Sequence, residues 1–598
     1  IPLTPAGKLD RKALPEPDWS AQVTSGRDAD NAVEKTLAGL FAEVLRLDRV
    51  GVDDSFFALG GDSIMSIQLV SRAKAAGLAL SPRDVFEHKT VAALAEVVAA
   101  GDGTVPLVLD ELPGGGVGDV PLTPIVHWML DRTSVLDKHT QTAVLTLPSD
   151  IELDVLEATI QTVLDHHDML RAVLHRAEEP SMEVLPIGSV TAQSVVRRVE
   201  SNSVRGPEFS DQARSEAAAA VDRLAPDAGV MIQMVWFDAG SEGSRLLVVA
   251  HHLVIDGVSW RILVPDLASA WAQIIGGSTP ELAPVGTSMR RWAHGLREVT
   301  ATRSDELAVW RDALADPDPL IGSRALDREI DVYRTVDKVE VTLSTDVTEG
   351  LLTALPEAFH GSVNDGLLAA LALATAVWRR NRGVVVSDAL ISLEGHGRED
   401  HVVPGADLSR TIGWFTTIYP LRLTLDGIDL DDALAGGDAA AALVKSVKEQ
   451  LLAVADHGIG YGMLRYLDEE AGATLRDFPA PQVSFNYLGR YSTDVPDELR
   501  GHGWLPVDDS GVGDSQDEDL PVAAALDINA VTTATPTGPR LEATFAFPTG
   551  VLDADEVTEL AQLWKQALTA LTQLAQRPGT GGFTPSDLGL GGLAQKAI

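Results

Sequence analysis

The sequence predicts a small all-α domain followed by a much larger α/β domain. Within residues 31–100, apolar side chains recur at helical spacing, first on one face of a segment with Val33, Leu37, Leu40, Phe41, Val44 and Leu45. Beyond residue 120, alternating segments such as 541–547 indicate strands, and residues 154–164 indicate a helix. Strands and helices interleave there without a fixed-period repeat, which favours a layered α/β architecture.

Composition limits the classes of function. A chain of 598 residues suggests about three or four folding units. The formal net charge of -40 argues against binding to nucleic acid or to anionic membranes. The absence of cysteine excludes disulfides, thiolate metal sites and a cysteine nucleophile. Because no uninterrupted apolar run reaches about 18 residues, and because Ile1 is not a start residue and no signal peptide is visible, we expect a cytoplasmic internal piece of a longer protein.

The N-terminal helical region begins after a linker rich in proline, serine and glycine that runs from Pro15 to about Asp30. Asn31 is the expected cap of the first helix. Further helices are predicted from residue 64 to Gly77 and from Val91 to Ala99, with Ser81-Pro82 and a loop between them.

A serine follows two glycines at the start of the second helix. Gly60 and Gly61 permit a tight turn, which would leave Ser63 exposed as the helix begins. Serine is also a favoured helix cap, so capping is the simpler explanation for Ser63 when the residue is considered alone.

The central stretch of the chain is His251–Leu263. It follows the apolar run Leu246–Val249, which predicts a buried strand, and it precedes apolar residues at helical spacing as far as Ile275. Two histidines therefore stand at a predicted strand-to-helix turn, where an imidazole can carry a proton near neutral pH. A structural role for this pair is equally compatible with the spacing alone.

The string Phe56-Phe-Ala-Leu-Gly-Gly-Asp-Ser-Ile64 resembles the signature of peptidyl carrier proteins. The resemblance implies a four-helix carrier over residues 25–102, with 4'-phosphopantetheine attached to Ser63. Asp62 stands where many carriers have histidine, a form that resembles carriers preceding an epimerization domain. Residues 1–14 resemble the last motif of an adenylation domain, so residues 1–24 are interpreted as the tail of that domain with its linker. Residues 103–119, rich in glycine, are predicted to form a flexible linker.

Residues 120–598 resemble an epimerization domain of nonribosomal peptide synthetases. The resemblance implies two lobes of the chloramphenicol-acetyltransferase type, at about 120–310 and 311–598, with a cleft between them. Six motifs occur in order, the first with His127 in place of the usual glutamine: Pro121–Trp128, His251–Leu263, Glu394–Glu399, Arg410–Pro420, Gly458–Gly462 and Phe485–Arg490.

Epimerization requires one group that removes the Cα proton and another that returns a proton to the opposite face. The resemblance assigns these roles to His252 and Glu394, and Glu394 would need partial burial to raise its pKa. Asp256 is expected to fix the histidine loop in an ion pair or turn, with Arg410 as a candidate partner. Asn486 and Tyr487 are expected to line the site as hydrogen-bond donors.

A second pair of histidines, His166 and His167, is interpreted as structural because the catalytic string is complete elsewhere, and no metal site is expected. The implied partners are a phosphopantetheinyl transferase, an upstream adenylation domain, a downstream condensation domain and the chain's own carrier docking at the cleft.

Two rival functions remain. A condensation domain shares the His-His-x-x-x-Asp-Gly motif but lacks the string Glu394–Glu399. A catalytically silent docking piece would have no need of an intact set of site residues.

Overall fold

The computed structural model describes residues 27, 29–45, 47–100, 107–133, 136–148, 151–386, 388–491, 503–507, 512–513, 515–535 and 537–588. The predicted adenylation-domain tail, residues 1–24, lies outside them. The chain divides into two compact units, one formed by residues up to 106 with 352–363 and the other by residues 107–351 with 364–598.

The described part of residues 27–100 contains four α-helices: α1 (Ala32–Leu45), α2 (Ser63–Ala75), α3 (Pro82–His88) and α4 (Val91–Ala100). Asn31 caps α1, since its Oδ1 accepts a hydrogen bond from Glu34 N at 2.8 Å. Helix α3 occupies a segment that was predicted to be a loop. A capping box between Ser81 and Asp84 stabilises its first turn.

The core of this bundle is built around aromatic side chains. Phe56 is fully buried, and its ring meets those of Phe41 and Phe57 edge-on, at centroid distances of 5.1 Å and 5.5 Å. Phe57 in turn stacks on Phe86. The loop between α1 and α2 is therefore anchored in the bundle by its own phenylalanines.

Three sheets account for the strands described in the larger unit. One has three strands in the order β1-β4-β3, one has four in the order β2-β7-β6-β5, and one has six in the order β10-β9-β11-β12-β13-β8. The strands are β1 (Gly118–Val120), β2 (Thr140–Thr146), β3 (Ala172–His175), β4 (Ser181–Val184), β5 (Val196–Glu200), β6 (Ile232–Asp238), β7 (Ser244–His251), β8 (Val336–Thr342), β9 (Ala389–Gly395), β10 (Thr417–Leu423), β11 (Val483–Tyr491), β12 (Leu526–Thr535) and β13 (Gly538–Pro548).

Helices alternate with these strands along the chain. They are α5 (Pro124–Leu130), α6 (Leu153–His166), α7 (Ala192–Val195), α8 (Gly206–Val221), α9 (Gly257–Ile275), α10 (Met289–Val299), α11 (Leu307–Ala315), α12 (Thr345–Leu352), α13 (Ala354–Phe359), α14 (Val363–Asn381), α15 (Leu430–Leu434), α16 (Asp438–Leu452), α17 (Ile459–Leu467), α18 (Glu469–Arg476) and α19 (Ala554–Ala575). The predicted architecture, a small helical bundle followed by two α/β lobes, is confirmed.

The six-stranded sheet has one apolar and one polar face. Side chains of even-numbered residues of β12, such as Ile528, are buried, whereas odd-numbered ones, such as Asp527, remain half-exposed. Helices cover the apolar face: Phe545 of β13 contacts Trp564 of α19, and the indole of Trp564 donates to the carbonyl of Leu367 in α14 at 3.2 Å. The polar face is thus left available for a site.

Residues 107–119, which composition predicted to be part of a flexible linker, are hydrogen-bonded to the larger unit. Glu111 accepts bonds from the backbone N–H and the hydroxyl of Ser288 at 2.6 Å and 2.8 Å. Arg290 donates to the carbonyls of Pro113 and Gly115. These side chains satisfy the polar groups of the glycine-rich segment and so hold it in place.

Among the described residues, no single helix is long and apolar enough to cross a membrane. One bent pair of helices, Thr345–Phe359 with Val363–Asn381, meets the criteria of length and composition when taken together.

Replacing Phe56 by alanine should destabilise the small helical bundle by about 3–5 kcal/mol, because a fully buried aromatic ring and its edge contacts are lost. Hydrogen exchange monitored by mass spectrometry on peptides of α1 and α4 measures this loss separately from the larger unit. The control is Glu87→Ala, which removes only an exposed pair with Arg83 and should cost less than about 1 kcal/mol. Equal protection from hydrogen exchange in Phe56→Ala and Glu87→Ala would contradict the assignment of Phe56 to this core.

Candidate active site

Ser63 is the first residue of α2, and the residue that caps this helix is its neighbour. Asp62 has extended backbone, and its Oδ1 accepts a hydrogen bond from Met65 N at 2.8 Å. Capping therefore does not account for the serine. The preceding turn is tightly packed, because a Cβ on Gly61 would lie 2.4 Å from the ring of Phe56. The side chain of Ser63, predicted to be exposed, lies outside the described part of the structure.

His252 follows directly on a fully buried strand. β7 ends at His251, a short 3₁₀ turn covers residues 252–254, and α9 begins at Gly257. This is the strand-to-helix turn that the sequence predicts. The ring of His252 is half-buried, and burial lowers its pKa from the ordinary value. The imidazole is therefore neutral at pH 7.

Hydrogen bonds fix the tautomer of His252. The indole of Trp260 is only a donor, and it bonds to Gln141 Oε1 at 2.8 Å. The other terminal atom of Gln141 is thus its amide nitrogen, a donor, and it lies 3.1 Å from His252 Nε2. Nε2 must accept this bond, so it carries the lone pair and the ring proton is on Nδ1. An unprotonated Nε2 is the form that a base requires.

Two aromatic rings, themselves 5.4 Å apart, pack against the imidazole. His139 stacks on His252 with a centroid distance of 4.7 Å, and Trp414 packs against it at 4.5 Å. The backbone N–H of His252 also donates to the carbonyl of His139 at 2.9 Å. Neither His139 nor Gln141 was expected from the sequence, because the segment around the start of β2 shows no motif of its own.

His251 has a structural role. It is fully buried, its Nε2 donates to the carbonyl of Leu136 at 2.6 Å, and its Nδ1 accepts from Leu253 N at 3.2 Å. Burial lowers its pKa to about 4. Both ring nitrogens of His251 are bonded to backbone groups, whereas Nε2 of His252 is bonded to a side-chain amide, which can move.

Asp256 is the centre of a buried network. Its Oδ2 accepts from Arg398 Nη1 at 2.6 Å and from Phe415 N at 3.2 Å, and its Oδ1 accepts from the hydroxyl and the backbone N–H of Ser259. Arg398 also donates to the carbonyl of Thr411. Burial alone would raise the pKa of Asp256, but Arg398 and Ser259 bring it below the ordinary value. Asp256 thus joins the histidine loop to two motifs of the second lobe.

The prediction that Arg410 pairs with Asp256 was wrong. Arg410 instead donates to both oxygens of Asp266 in α9, at 2.5 Å and 2.7 Å. Asp266 also accepts from His167 Nε2 at 2.9 Å. Asp256 pairs with Arg398 because the Gly397 turn, with a φ of +67°, places that arginine under the histidine loop.

Within the described residues, His166, His167 and Asp266 form a group whose ligand atoms lie within 4.8 Å of one another. A metal there would compete with Arg410 for the carboxylate and with the carbonyl of Ala283, which is bonded to His166 Nε2 at 3.0 Å. These contacts indicate a structural role for both histidines.

Glu394 lies within β9, on the polar face of the six-stranded sheet. Its partner in β10 is Ile418, four residues after Trp414. Glu394 Oε2 accepts from Asn486 Nδ2 at 2.9 Å. Burial first, and the neighbouring Asp527 second, raise the pKa of Glu394 to about 8. A carboxyl with its pKa raised in this way can hold a proton near neutral pH, which is what the sequence interpretation requires of Glu394.

Asn486 and Tyr487 lie on opposite faces of β11. Asn486 shares the polar face with Glu394, whereas Tyr487 pairs with Ala530 on the apolar side, and its hydroxyl lies 3.0 Å from Thr532 Oγ1. Tyr487 therefore does not share the face with Glu394, although the sequence interpretation placed both residues in the site.

Three charged or titratable residues around Glu394 were not expected from the sequence: Arg132, Tyr333 and Asp527. Arg132 acts electrostatically on Glu394 and also on His139, the ring that stacks on His252. Arg132 is thus an electrostatic neighbour of Glu394 and of the ring that stacks on His252. Alternation of polar residues in Leu526–Thr535 could have marked Asp527, but not its distance from Glu394.

Comparisons with known proteins agree with this fold. A family model described as the condensation domain matches residues 118–582, and a model described as the phosphopantetheine attachment site matches residues 35–98. The chain is 36% identical over 613 residues to one of the linear gramicidin synthase proteins of Brevibacillus parabrevis, covering 100% of this chain and 8% of that protein. It is 29% identical over 615 residues to tyrocidine synthase 1 of the same organism, covering 100% of this chain and 53% of that protein. The chain thus spans only part of these relatives.

Two solved structures show the same fold as the larger unit. The epimerization domain from the third module of tyrocidine synthetase B aligns with a TM-score of 0.65 at 24% identity, covering 79% of this chain and 99% of that one. The first condensation domain of the calcium-dependent antibiotic synthetase aligns with a TM-score of 0.53 at 19% identity, covering 78% and 98%. The chain belongs to the condensation-domain family and carries a phosphopantetheine-attachment domain ahead of that domain.

Proposed function

We propose that the larger domain epimerizes the Cα of an aminoacyl or peptidyl thioester, and that His252 and Glu394 are its two proton-transfer groups. The observation that carries this proposal is the carboxyl of Glu394, held by Asn486 on the polar sheet face with a raised pKa, together with the imidazole of His252 at the end of β7, whose pKa is lowered. Inversion requires one group of each kind, because a proton must leave one face of Cα and another must arrive on the opposite face.

The thioester is carried on 4'-phosphopantetheine, and we propose Ser63 as the attachment residue. The surroundings fit a phosphate group, since Ser63 opens a helix of 13 residues whose N-terminal backbone donors favour an anion. The cap of this helix is provided by Asp62, the residue before the serine. When bound, the phosphopantetheine supplies a thioester, which makes the adjacent Cα proton more acidic.

When the reaction starts with His252 neutral and Glu394 protonated, His252 acts as the base. The N–H of Gln141 occupies the Nε2 lone pair in the resting site and must move away when the substrate enters; Nε2 then accepts the Cα proton, and the imidazole becomes imidazolium. Stacking on His139 and Trp414 keeps the ring from turning away. Asp256 positions the loop through its pair with Arg398 and does not itself take up a proton.

Glu394 acts as the acid in the same direction. Its O–H proton passes to the opposite face of Cα, and the carboxyl becomes a carboxylate that Asn486 stabilises through its bond to Oε2. Exchange with solvent then removes a proton from the imidazolium and returns one to the carboxylate. The reverse reaction begins with His252 as imidazolium and Glu394 as carboxylate, a state that is less populated at neutral pH.

A condensation reaction is the second function compatible with the family. It would use the histidine loop, including His252, but it has no need of a protonated carboxyl at Glu394. The neutral Glu394 therefore favours the epimerase over the condensation catalyst, and an intact pair of proton-transfer groups argues against a silent docking piece.

The module context follows from the same proposal. We place the carrier at residues 25–102 and the epimerase at about 120–598, with lobes that meet near residue 310. A phosphopantetheinyl transferase would modify the carrier, an upstream adenylation domain would load it, and a downstream condensation domain would take the product after the carrier has docked at the cleft.

Incubation with a phosphopantetheinyl transferase and coenzyme A should add a single adduct at Ser63, because this is the serine that follows the Gly60-Gly61 turn. Intact-mass spectrometry should find no adduct on Ser63→Ala. Ser66→Ala, which changes a serine one helical turn further along α2, is the control and should be modified normally. An adduct on Ser63→Ala would refute the assignment.

Loss of either proton-transfer group should block inversion without unfolding the chain. Since a positioned acid or base contributes about 10²–10⁴-fold in rate, His252→Ala and Glu394→Gln should each lose at least about 100-fold. The measurement is the chirality and the deuterium content of the amino acid released after reaction in D₂O, starting from L and from D thioesters in turn.

The matched control for Glu394→Gln is Glu340→Gln, the same change at an exposed position in β8 of the same sheet; it should react at the normal rate. Normal inversion in Glu394→Gln would show that another group supplies the second proton. Peptide-bond formation with an added aminoacyl acceptor, without any inversion by the wild-type chain, would favour the condensation function.

The rate of inversion should have a bell-shaped dependence on pH. Activity should rise with pH through the lowered pKa of His252, because only the neutral imidazole accepts a proton. It should fall as pH increases through about 8, because Glu394 then loses the proton that it must donate. Single-turnover rates on the loaded carrier measure both limbs. An upper limb that persists unchanged in Glu394→Asp would contradict this assignment of the carboxyl.

A further inference from the structure

We propose that Asp527 is a positioning residue that keeps Glu394 protonated, and so makes Glu394 the acid of the catalytic pair. The proposal rests on the epimerase function and adds to it a residue that lies outside all six sequence motifs. Asp527 is in β12, two strands away from Glu394 in the six-stranded sheet.

Strand register places the two carboxyls on one face. Ser484 of β11 pairs with Ser392 of β9 on one side and with Asp527 of β12 on the other. Glu394 is two residues beyond Ser392, and side chains two residues apart in a strand point to the same face. Glu394, Asn486 and Asp527 therefore form one polar strip, whose side chains are half-buried.

Hydrogen bonds distinguish the two carboxyls. Asp527 accepts two, from the hydroxyl of Ser484 to Oδ1 at 2.7 Å and from Asn529 Nδ2 to Oδ2 at 3.0 Å. Glu394 accepts one described bond, from Asn486. Burial raises the pKa of Asp527 above its ordinary value, and the two donors act against that rise. Because donors stabilise the ionised form, a single negative charge shared between the two sites resides on Asp527. The proton resides on Glu394.

The charges around the strip do not neutralise both acids. Arg132 acts on both carboxyls and Lys338 on Asp527, but among the described residues neither carboxyl is hydrogen-bonded to a cation. The guanidinium of Arg132 is held elsewhere, over the ring of Trp128 and on the carbonyl of Pro521.

Tyr333 is a further titratable neighbour. Its pKa is raised to about 12, chiefly by burial, and it stays neutral. With two acids and, in the part of the chain that the structure describes, no cation in direct contact, ionising both would place two like charges on one half-buried strip.

This arrangement also serves turnover. When Glu394 gives its proton to Cα, its O–H bond breaks, and the strip then carries two carboxylates, on β9 and on β12. Their repulsion favours the return of a proton from solvent to Glu394, which restores the acid. Asp527 takes no part in the transfer itself, since it neither gives nor receives the proton.

The test compares Asp527→Asn with Asp527→Glu in the full chain loaded through Ser63. Removal of the charge should shift the upper limb of the pH profile of inversion to lower pH by about one unit, since one neighbouring charge changes a half-buried pKa by roughly this amount. Asp527→Glu keeps the charge and should keep the limb within about 0.3 units of the wild type. Asp337→Asn, at an exposed position of β8 in the same sheet, is the matched control and should leave the profile unchanged.

A second readout does not depend on activity. The wild-type chain should show an infrared band of a protonated carboxyl at pH 7 that is absent in Glu394→Gln. In Asp527→Asn the Glu394 band should disappear at lower pH than in the wild type. Thermal melting and modification of Ser63 confirm that each variant is folded.

An upper limb that stays at the same pH in Asp527→Asn would overturn the proposal. A second result would also overturn the proposal: a loss of activity in Asp527→Asn that is seen only with aminoacyl substrates and only as a raised KM. Asp527 would then bind the substrate's ammonium group. If Glu394→Gln still abolishes inversion, these two results contradict only the role proposed for Asp527, and the proposed function stands. Absence of inversion in the wild-type chain would instead remove the proposed function.

Discussion

The site depends on one buried ion pair, between Asp256 and Arg398. The two residues are 142 positions apart, and the pair joins the histidine loop of the first lobe to the loop that follows Glu394 in the second. Asp256 also accepts from Phe415 N, and Arg398 lies over the ring of Phe415 at 4.1 Å. Loss of one member of such a pair leaves a buried charge and costs about 3–5 kcal/mol. The network therefore positions the residues that the two lobes supply to the site.

Trp414 shows how this network reaches the reacting groups. It lies next to Phe415, so the bond from Phe415 to Asp256 also positions the indole against His252. The chain then enters β10, whose Ile418 pairs with Glu394. A single covalent segment thus connects the surroundings of the base with the strand of the acid. This continuity explains why the geometry of one loop matters to two side chains that are distant in the sequence.

Burial shifts the pKa values of different side chains in different directions, and a contacting cation can reverse its effect. Burial lowers the pKa of His252 and raises that of Glu394, so both are neutral at pH 7. Asp256 is also buried but ionised, since Arg398 is in direct contact with it. The presence or absence of a contacting cation, more than burial itself, therefore separates the carboxylate with a structural role from the carboxyl with a chemical one.

The sequence by itself determined the elements and the order of the site. The apolar run before His251 predicted β7, Asn31 predicted the start of α1, and the resemblance of the motifs identified His252, Glu394 and Ser63 as candidates. The sequence interpretation placed Asn486 and Tyr487 together in the site, although neighbouring residues of a strand point to opposite faces. These are local properties, and they require only neighbouring residues.

Tertiary structure alone decided which distant residues meet. Arg398, and not Arg410, pairs with Asp256, because the turn at Gly397 and the β9–β10 pairing bring it under the histidine loop. Asp527 and Glu394 share one sheet face because β11 pairs with both β9 and β12, in a register that no local pattern encodes. Residue types can be read along the chain, but the charge state of a buried group depends on partners that only strand order and lobe packing bring near.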